Sequence, residues 1–388
     1  MLLHYDIAIL GGGPAGSAVA LSLRKHAPEL SVVIIESSAY DRQRIGETLP
    51  PTVQPLLKQL GVWESFLAEA HLPAYGTCSA WGSERLESNE FLYGQHGRGW
   101  HLDRKRFDAM LARESESRGV ALLTFSTLTH SERLSDKWRL TLRQPDTIFP
   151  ISARFVVDAT GKTAAFATRH GARKQLFDQL LGAFVFFNCD AADTFTMVEA
   201  CEDGWWYSAL LPETGMVAAW MSDADVVKQR GVKTPACWFE QLQKTTYTKH
   251  RLLPAKPLNA PTLHAAASHR LDRFAGDGWL AVGDAATSFD PLSSQGVLKA
   301  LRTGALAAYA VCDVFQGKLA GLEKYEQIIA REFEAYLKTR AEIYGQEQRW
   351  PNSPFWKRRS SERKRSEYRL QAEARASARL ARLRRASA

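Results

Sequence analysis

A chain of 388 residues is long enough to bury a sizeable core and to divide into two or three structural regions. Its composition, 45% hydrophobic and 24% charged, is that of an ordinary globular protein, and no apolar run approaches the ~18 residues of a membrane span. The formal charge of +8 is local: residues 349–388 carry 13 Lys and Arg against 3 Asp and Glu, and the other 348 carry 37 against 39. The body therefore lacks the basic footprint of a nucleic-acid binder.

The first strand begins at once, with no cationic or signal-type stretch before it. Five scattered cysteines (Cys78, Cys189, Cys201, Cys237, Cys312) form no C-x-x-C and no metal-ligand spacing. Inert thiols, no metal and a reducing cytoplasmic location are the expectations. The stretch 5–36 organises the rest of the chain. An apolar run at 7–10 predicts a buried strand, and Gly11, Gly13 and Gly16 come next, with Pro14 and Ala15 among them. A helical pattern reaches residue 26, and a second apolar run ends on Glu36. Gly11 allows the tight turn, Gly13 lets a pyrophosphate approach the backbone, and Gly16 lets helix and strand pack closely. The helix N-terminus offers N–H groups to phosphates, and Glu36 can accept from a ribose hydroxyl. An ADP-containing dinucleotide is expected.

After a loop to residue 51, a short helix is predicted to residue 60. Arg44 either reaches a phosphate or is a solvated loop arginine. Gly46-Glu47-Thr48-Leu49-Pro50 joins a flexible glycine to a rigid proline, which suits backbone pressed against a flat ligand. Residues 75–100 read as short strands or a lid. A helix capped by Asp103 follows, with Leu102, Phe107, Met110 and Leu111 on one apolar face. Arg104 in its first turn opposes the helix dipole at a cost of ~0.3–1 kcal/mol, which a bound phosphate would offset. Strands are predicted at 120–125, 138–142 and 153–157. The last leads into Asp158-Ala159-Thr160-Gly161, which leaves room for a cofactor or simply makes a tight turn.

Four strand-like runs between 181 and 221 suggest an antiparallel sheet. Phe186, Trp205 and Tyr207 are its candidate substrate contacts, though aromatic residues there are commonly core. Residues 222–244 read as helical and 251–275 as irregular. A buried strand at 279–282 then ends in Gly283-Asp284. A loop carrying Pro291, Ser294 and Gln295 opens a long helix near Gly296, again with free N–H groups. Such a dipole would stabilise the anionic N1/O2 edge of a reduced flavin. Two anion-receptive helix starts some 280 residues apart fit one long cofactor stretched between them. A further amphipathic helix is predicted at 317–344. Residues 346–388 read as a basic low-complexity tail, either solvated or a docking arm for an acidic partner protein.

These motifs resemble the FAD-dependent oxidoreductases of the p-hydroxybenzoate hydroxylase type, in the branch that also holds the flavin halogenases. The likeness covers roughly residues 4–345 and rests on 11–16, Glu36, 46–50, Asp103-Arg104 with Phe107-Asp108, 158–161 and 283–296. It implies an α/β fold: a Rossmann-like FAD-binding domain in three pieces (1–74, 101–180, 271–345), a substrate-side insertion (75–100), an antiparallel-sheet substrate domain (181–270) and a helical C-terminal region. It also implies non-covalent FAD with O2 as co-substrate. By the same resemblance Glu36 meets the adenosine ribose and Arg104 lies along the cofactor. Asp284 meets the ribityl or pyrophosphate region, and Pro291 to Gly296 faces the isoalloxazine ring.

Three departures narrow this. Halogenases of the branch carry a lysine that captures hypohalous acid after the Gly-Glu-Ser/Thr motif, and no lysine occurs between Lys58 and Lys105. Their W-x-W-x-I-P motif is replaced by Trp205-Trp206-Tyr207-Ser208-Ala209-Leu210. The Asp-Gly motif of the hydroxylases is also replaced, by 158–161, which leaves the electron donor open. Tyr75-Gly76 with Trp81-Gly82, then 99–104, are similar to a smaller group of flavoproteins. Those modify tryptophan in a partner enzyme during cysteine tryptophylquinone biogenesis, as in amine dehydrogenase, lysine ε-oxidase and glycine oxidase maturation. The implied activity is hydroxylation of an indole through a C4a-hydroperoxyflavin. Glu47 and His101 are the candidates for proton handling, with Pro291 at the ring. Hydroxylation of a small aromatic metabolite and a non-catalytic FAD-containing assembly factor are the alternatives.

Overall fold

The computed structural model describes residues 3–360 apart from 43, 190–192, 213–214 and 254. β1 (Leu3–Leu10), α1 (Pro14–His26) and β2 (Val32–Ile35) form its opening unit. Residues 7–10 of β1 are at most 3% exposed, because parallel neighbours flank the strand on both sides. Such strands carry continuous apolar runs rather than alternation. Gly11 follows with φ 108°, and a Cβ there would lie 2.4 Å from the Ala159 carbonyl oxygen. Pro14 opens α1, where its missing N–H costs nothing.

The chain next passes through β3 (Gly76–Ala80) and returns in α2 (Arg104–Glu116), whose N-cap Asp103 accepts from the Lys105 and Arg106 amides at 2.9 and 3.2 Å. β4 (Ala121–Leu123), β5 (Trp138–Gln144) and β6 (Thr147–Asp158) come next, then β7 (Leu180–Asn188), β8 (Thr196–Cys201), β9 (Gly204–Leu210) and β10 (Met216–Asp223). β11 (Trp279–Ala281), α3 (Gly296–Phe315) and α4 (Ala320–Gln346) close the fold. The first sheet is parallel in the order β11-β6-β1-β2-β4, with β5 antiparallel on β6. The second runs β7-β10-β9-β8-β3, antiparallel except between β8 and β3.

Two-residue alternation divides the second sheet. Trp206 and Trp220 face Trp238 in the helix Pro235–Gln243, while Phe184, Tyr207 and Met221 face the first sheet's domain. α3 crosses α1 almost backbone to backbone: a Cβ on Gly304 would stand 2.4 Å from the Ala15 carbonyl oxygen. That crossing brings the two distant helix starts to one place. Among the described residues no helix is long and apolar enough to cross a membrane.

Three expectations change. The helical stretch 222–244 is broken at Gly231, φ 61°, into Ala224–Arg230 and Pro235–Gln243. Within 251–275, Lys256–Pro257 and Thr262–Ala265 are short edge strands on β7, where proline is tolerated because no ladder bond is lost. The tail does not begin at 346. Phe355 and Trp356 are buried against Tyr344, and Arg359, 2% exposed, pairs with Asp223 at 2.9 Å. The basic charge of this stretch conceals two core aromatics, Phe355 and Trp356, with Trp350 partly buried beside them. The remainder of the tail, 361–388, lies outside the described residues.

Candidate functional site

A cavity of about 660 Å³ lies between the two sheets' domains. At one end it is lined by Gly11, Gly13, Pro14 and Ala15. No side chain caps α1, so its first-turn N–H groups are left for a ligand. Gly13 leaves that approach open, since a Cβ there would meet nothing nearer than Arg44 Nη1 at 3.7 Å. Gly16 packs instead of lining: its Cβ would fall 2.0 Å from the Gly11 carbonyl oxygen.

Glu36, 4% exposed, accepts from the Gly12 amide at 2.9 Å and from the Ser38 hydroxyl at 2.6 Å. Burial alone would raise its pKa, but those bonds and the Arg44 charge outweigh it and hold the carboxyl below its ordinary range. Arg44 and Arg104 line the cavity and share the fully buried Asp108 at 3.0 and 3.1 Å. Arg104 also donates to the Ile45 carbonyl at 2.8 Å. The i,i+4 pairing of Arg104 with Asp108 thus balances the cation expected to oppose the dipole of α2. In the sequence Asp108 stands out only as part of a motif, and its spacing from Arg104 is the signal for this role.

Asp284, Pro291, Ser294 and Gly296 also line the cavity, and a Cβ on Gly296 would meet open space. Gly283, which is buried, and Gln295, which is exposed, do not line it. A Cβ on Gly283 would come 2.7 Å from that of Ala15, so the second turn rests on α1. Gly161 lines the cavity, but Asp158 does not: it accepts from the Phe166 and Ala167 amides at 3.0 and 2.8 Å, which caps a short helix.

Toward the second sheet the cavity meets Glu47, Tyr207, Phe184 and Met221. The Tyr207 phenol donates to Glu47 Oε1, Thr48 Oγ1 lies 2.7 Å from the phenol oxygen, and Thr196 Oγ1 is 3.4 Å beyond. Burial raises the pKa of both Glu47 and Tyr207. The structure brings together only part of the expected set. Phe186 and Trp205 are on the same sheet face as Tyr207 but off the cavity, and the Trp205 indole donates to Tyr344 at 2.9 Å. His101 is fully buried, its Nε2 is 2.8 Å from the Thr194 carbonyl oxygen, and burial lowers its pKa to about 4. It ties a loop down and does not reach the cavity. Phe184 and Met221 line the cavity in place of the expected Trp205 and Phe186, because among residues on one sheet face the position along the strand decides which side chains reach it.

The FAD binding domain family matches residues 4–338. This chain belongs to that family. FAD is its cofactor, and the site fits it: open backbone at Gly13 and Gly296, an uncapped helix start and the cations Arg44 and Arg104 suit an extended anionic dinucleotide. The flavoprotein is 31% identical over 92% of its length to LodB of Marinomonas mediterranea, named as an FAD-dependent oxidoreductase, and spans 96% of it. Among solved structures it resembles the flavin-dependent halogenase CmlS, with TM-score 0.83 and 25% identity over 95% of this chain and 70% of that one. It shares the fold of QhpG, a peptidyl tryptophan dihydroxylase essential for tryptophylquinone cofactor biogenesis, with TM-score 0.71 and 22% identity over 92% and 78%.

Proposed function

We propose that this FAD-dependent enzyme is a monooxygenase that hydroxylates an indole, a tryptophan of a partner protein, during quinone-cofactor biogenesis. The observation that carries the reading is the Glu47–Tyr207–Thr48 chain, set in the cavity wall beside Phe184 and Met221. Bound FAD, once reduced, supplies activation of O2. The chain's own residues place the acceptor and handle its proton. Phe184 and Met221 offer an apolar wall for a flat ring and exclude water there. With Glu47 ionised, hydroxyls point from Thr196 through Thr48 and Tyr207 to Glu47 Oε1. A proton taken up at Glu47 reverses that direction, so the carboxyl can receive the proton an indole carbon releases on hydroxylation. LodB and QhpG support the reading by likeness.

The likeness to CmlS favours halogenation as a second reading. Against it, Lys162 is the lysine lining the cavity among the described residues, and its ammonium donates to the Ala265 carbonyl at 2.8 Å. Reduced enzyme, O2, bromide and a tryptophan-bearing precursor protein in one reaction separate the two. A mass gain of one oxygen on the precursor is expected, and bromine incorporation or an unchanged precursor overturns the reading. Docking of that partner through residues 361–388 belongs to the same proposal, and truncation after residue 360 is expected to abolish its capture.

A further inference from the structure

Lys299 is a buried charge that the proposed proton route does not use. It sits in the first turn of α3, where a cation opposes the helix dipole, and its side chain is 2% exposed. Its Nζ donates to Asp284 Oδ1 at 2.7 Å and to the Thr287 carbonyl, and it lies 4.6 Å from the centre of the Phe289 ring. Asp284, by contrast, is 30% exposed and lines the cavity. Its backbone carbonyl is engaged by His269 Nε2 at 3.1 Å, and Lys162 and His269 are the other basic groups near the carboxylate. Glu332, paired with Arg302 at 2.5 Å, is the other acid whose charge acts on Lys299. Two helix starts and two arginines make this cavity receptive to an anion, yet a carboxylate faces it. A bare carboxylate there would repel a pyrophosphate-bearing ligand. A lysine sealed behind it removes that repulsion without taking up cavity space.

We infer that Lys299 is a positioning residue for FAD: it neutralises Asp284 from behind and fixes Oδ1, leaving Oδ2 turned to the cavity as an acceptor for a cofactor hydroxyl. The inference rests on FAD binding and not on the hydroxylation reading, so failure of oxygen transfer leaves it standing. The test is a double-mutant cycle on apoprotein titrated with FAD, read by quenching of flavin fluorescence, with apoprotein melting recorded alongside. Lys299→Met is expected to raise the FAD Kd roughly tenfold or more, by leaving Asp284 uncompensated. Asp284→Asn with Lys299→Met is expected to bind more tightly than Lys299→Met alone, since the repelling charge is gone. If Lys299→Met does not fold, Lys299→Gln keeps a donor for Thr287 and loses the charge, and carries the same comparison. A Kd within about twofold of the parent despite a lowered melting temperature would make the lysine a structural staple only. An equal loss from Lys299→Met with Asp284 or Asn at 284 would also overturn the inference.

Discussion

Glu47 and Tyr207 are far apart in sequence, yet one hydrogen bond joins them in the cavity wall. Glu47→Gln keeps the size and the acceptor but cannot take up a proton. Product formation is expected to fall by ~10²-fold or more with bound FAD unchanged, measured by single-turnover mass analysis and flavin absorbance. Burial raises the Glu47 pKa above the ordinary 4.5, and a base must be ionised to act. The rate should therefore rise with pH along a limb lying above 4.5, and that limb should vanish in Glu47→Gln. Tyr207→Phe breaks the route to Thr48 while leaving the ring, so it should lower the rate without changing FAD content. Asp108 is a residue-scale requirement of another kind: fully buried between Arg44 and Arg104, it aims both cations at the cavity.

At the scale of elements, the glycine turn divides into a part that serves the fold and a part that serves the ligand. Gly11→Ala would force a side chain into φ 108° and to 2.4 Å from the Ala159 carbonyl oxygen. Apoprotein stability should drop by about 1–3 kcal/mol. Gly13 has φ −75°, which alanine adopts freely, and space for a Cβ. Gly13→Ala should leave apoprotein melting unchanged and weaken FAD binding, because the added methyl occupies the pyrophosphate's approach. Gly304→Val would push α3 away from α1 and separate the two halves of the site, costing about 1–3 kcal/mol by overpacking. Differential melting of apoprotein and holoprotein measures all three.

Over the whole molecule, His71, His101 and His269 are buried, and burial lowers each pKa to about 4. The unfolded chain takes up these protons near the ordinary 6.5, so it binds more of them than the fold does between 6.5 and 4. Stability is thus complete above that window and lost as pH falls through it. Melting midpoints should decline steadily from about pH 7 to pH 5, before the depressed carboxyl of Glu36 begins to protonate. The segment 350–359 closes the body. Arg359→Met, which among the described residues leaves the buried Asp223 paired with the half-exposed Arg358 at 2.8 Å, should cost about 3 kcal/mol by chemical denaturation.

The sequence alone determined the α/β class, the two helix starts, Asp103 as a cap and the cofactor. Each of these depends on short-range chemistry: glycine spacing, an apolar run long enough for a buried strand, and an acid at a set distance. Only the tertiary structure decided which aromatic residues face the cavity, that Glu47 meets Tyr207, that His101 ties down a loop while Asp158 caps a short helix, and that Lys299 stands behind Asp284. Those pairings join residues up to 160 positions apart, and a single-residue change of strand register would undo them. The packed segment 350–359 was illegible for a related reason. Charge belongs to composition, but burial belongs to the partners an aromatic side chain finds across the fold.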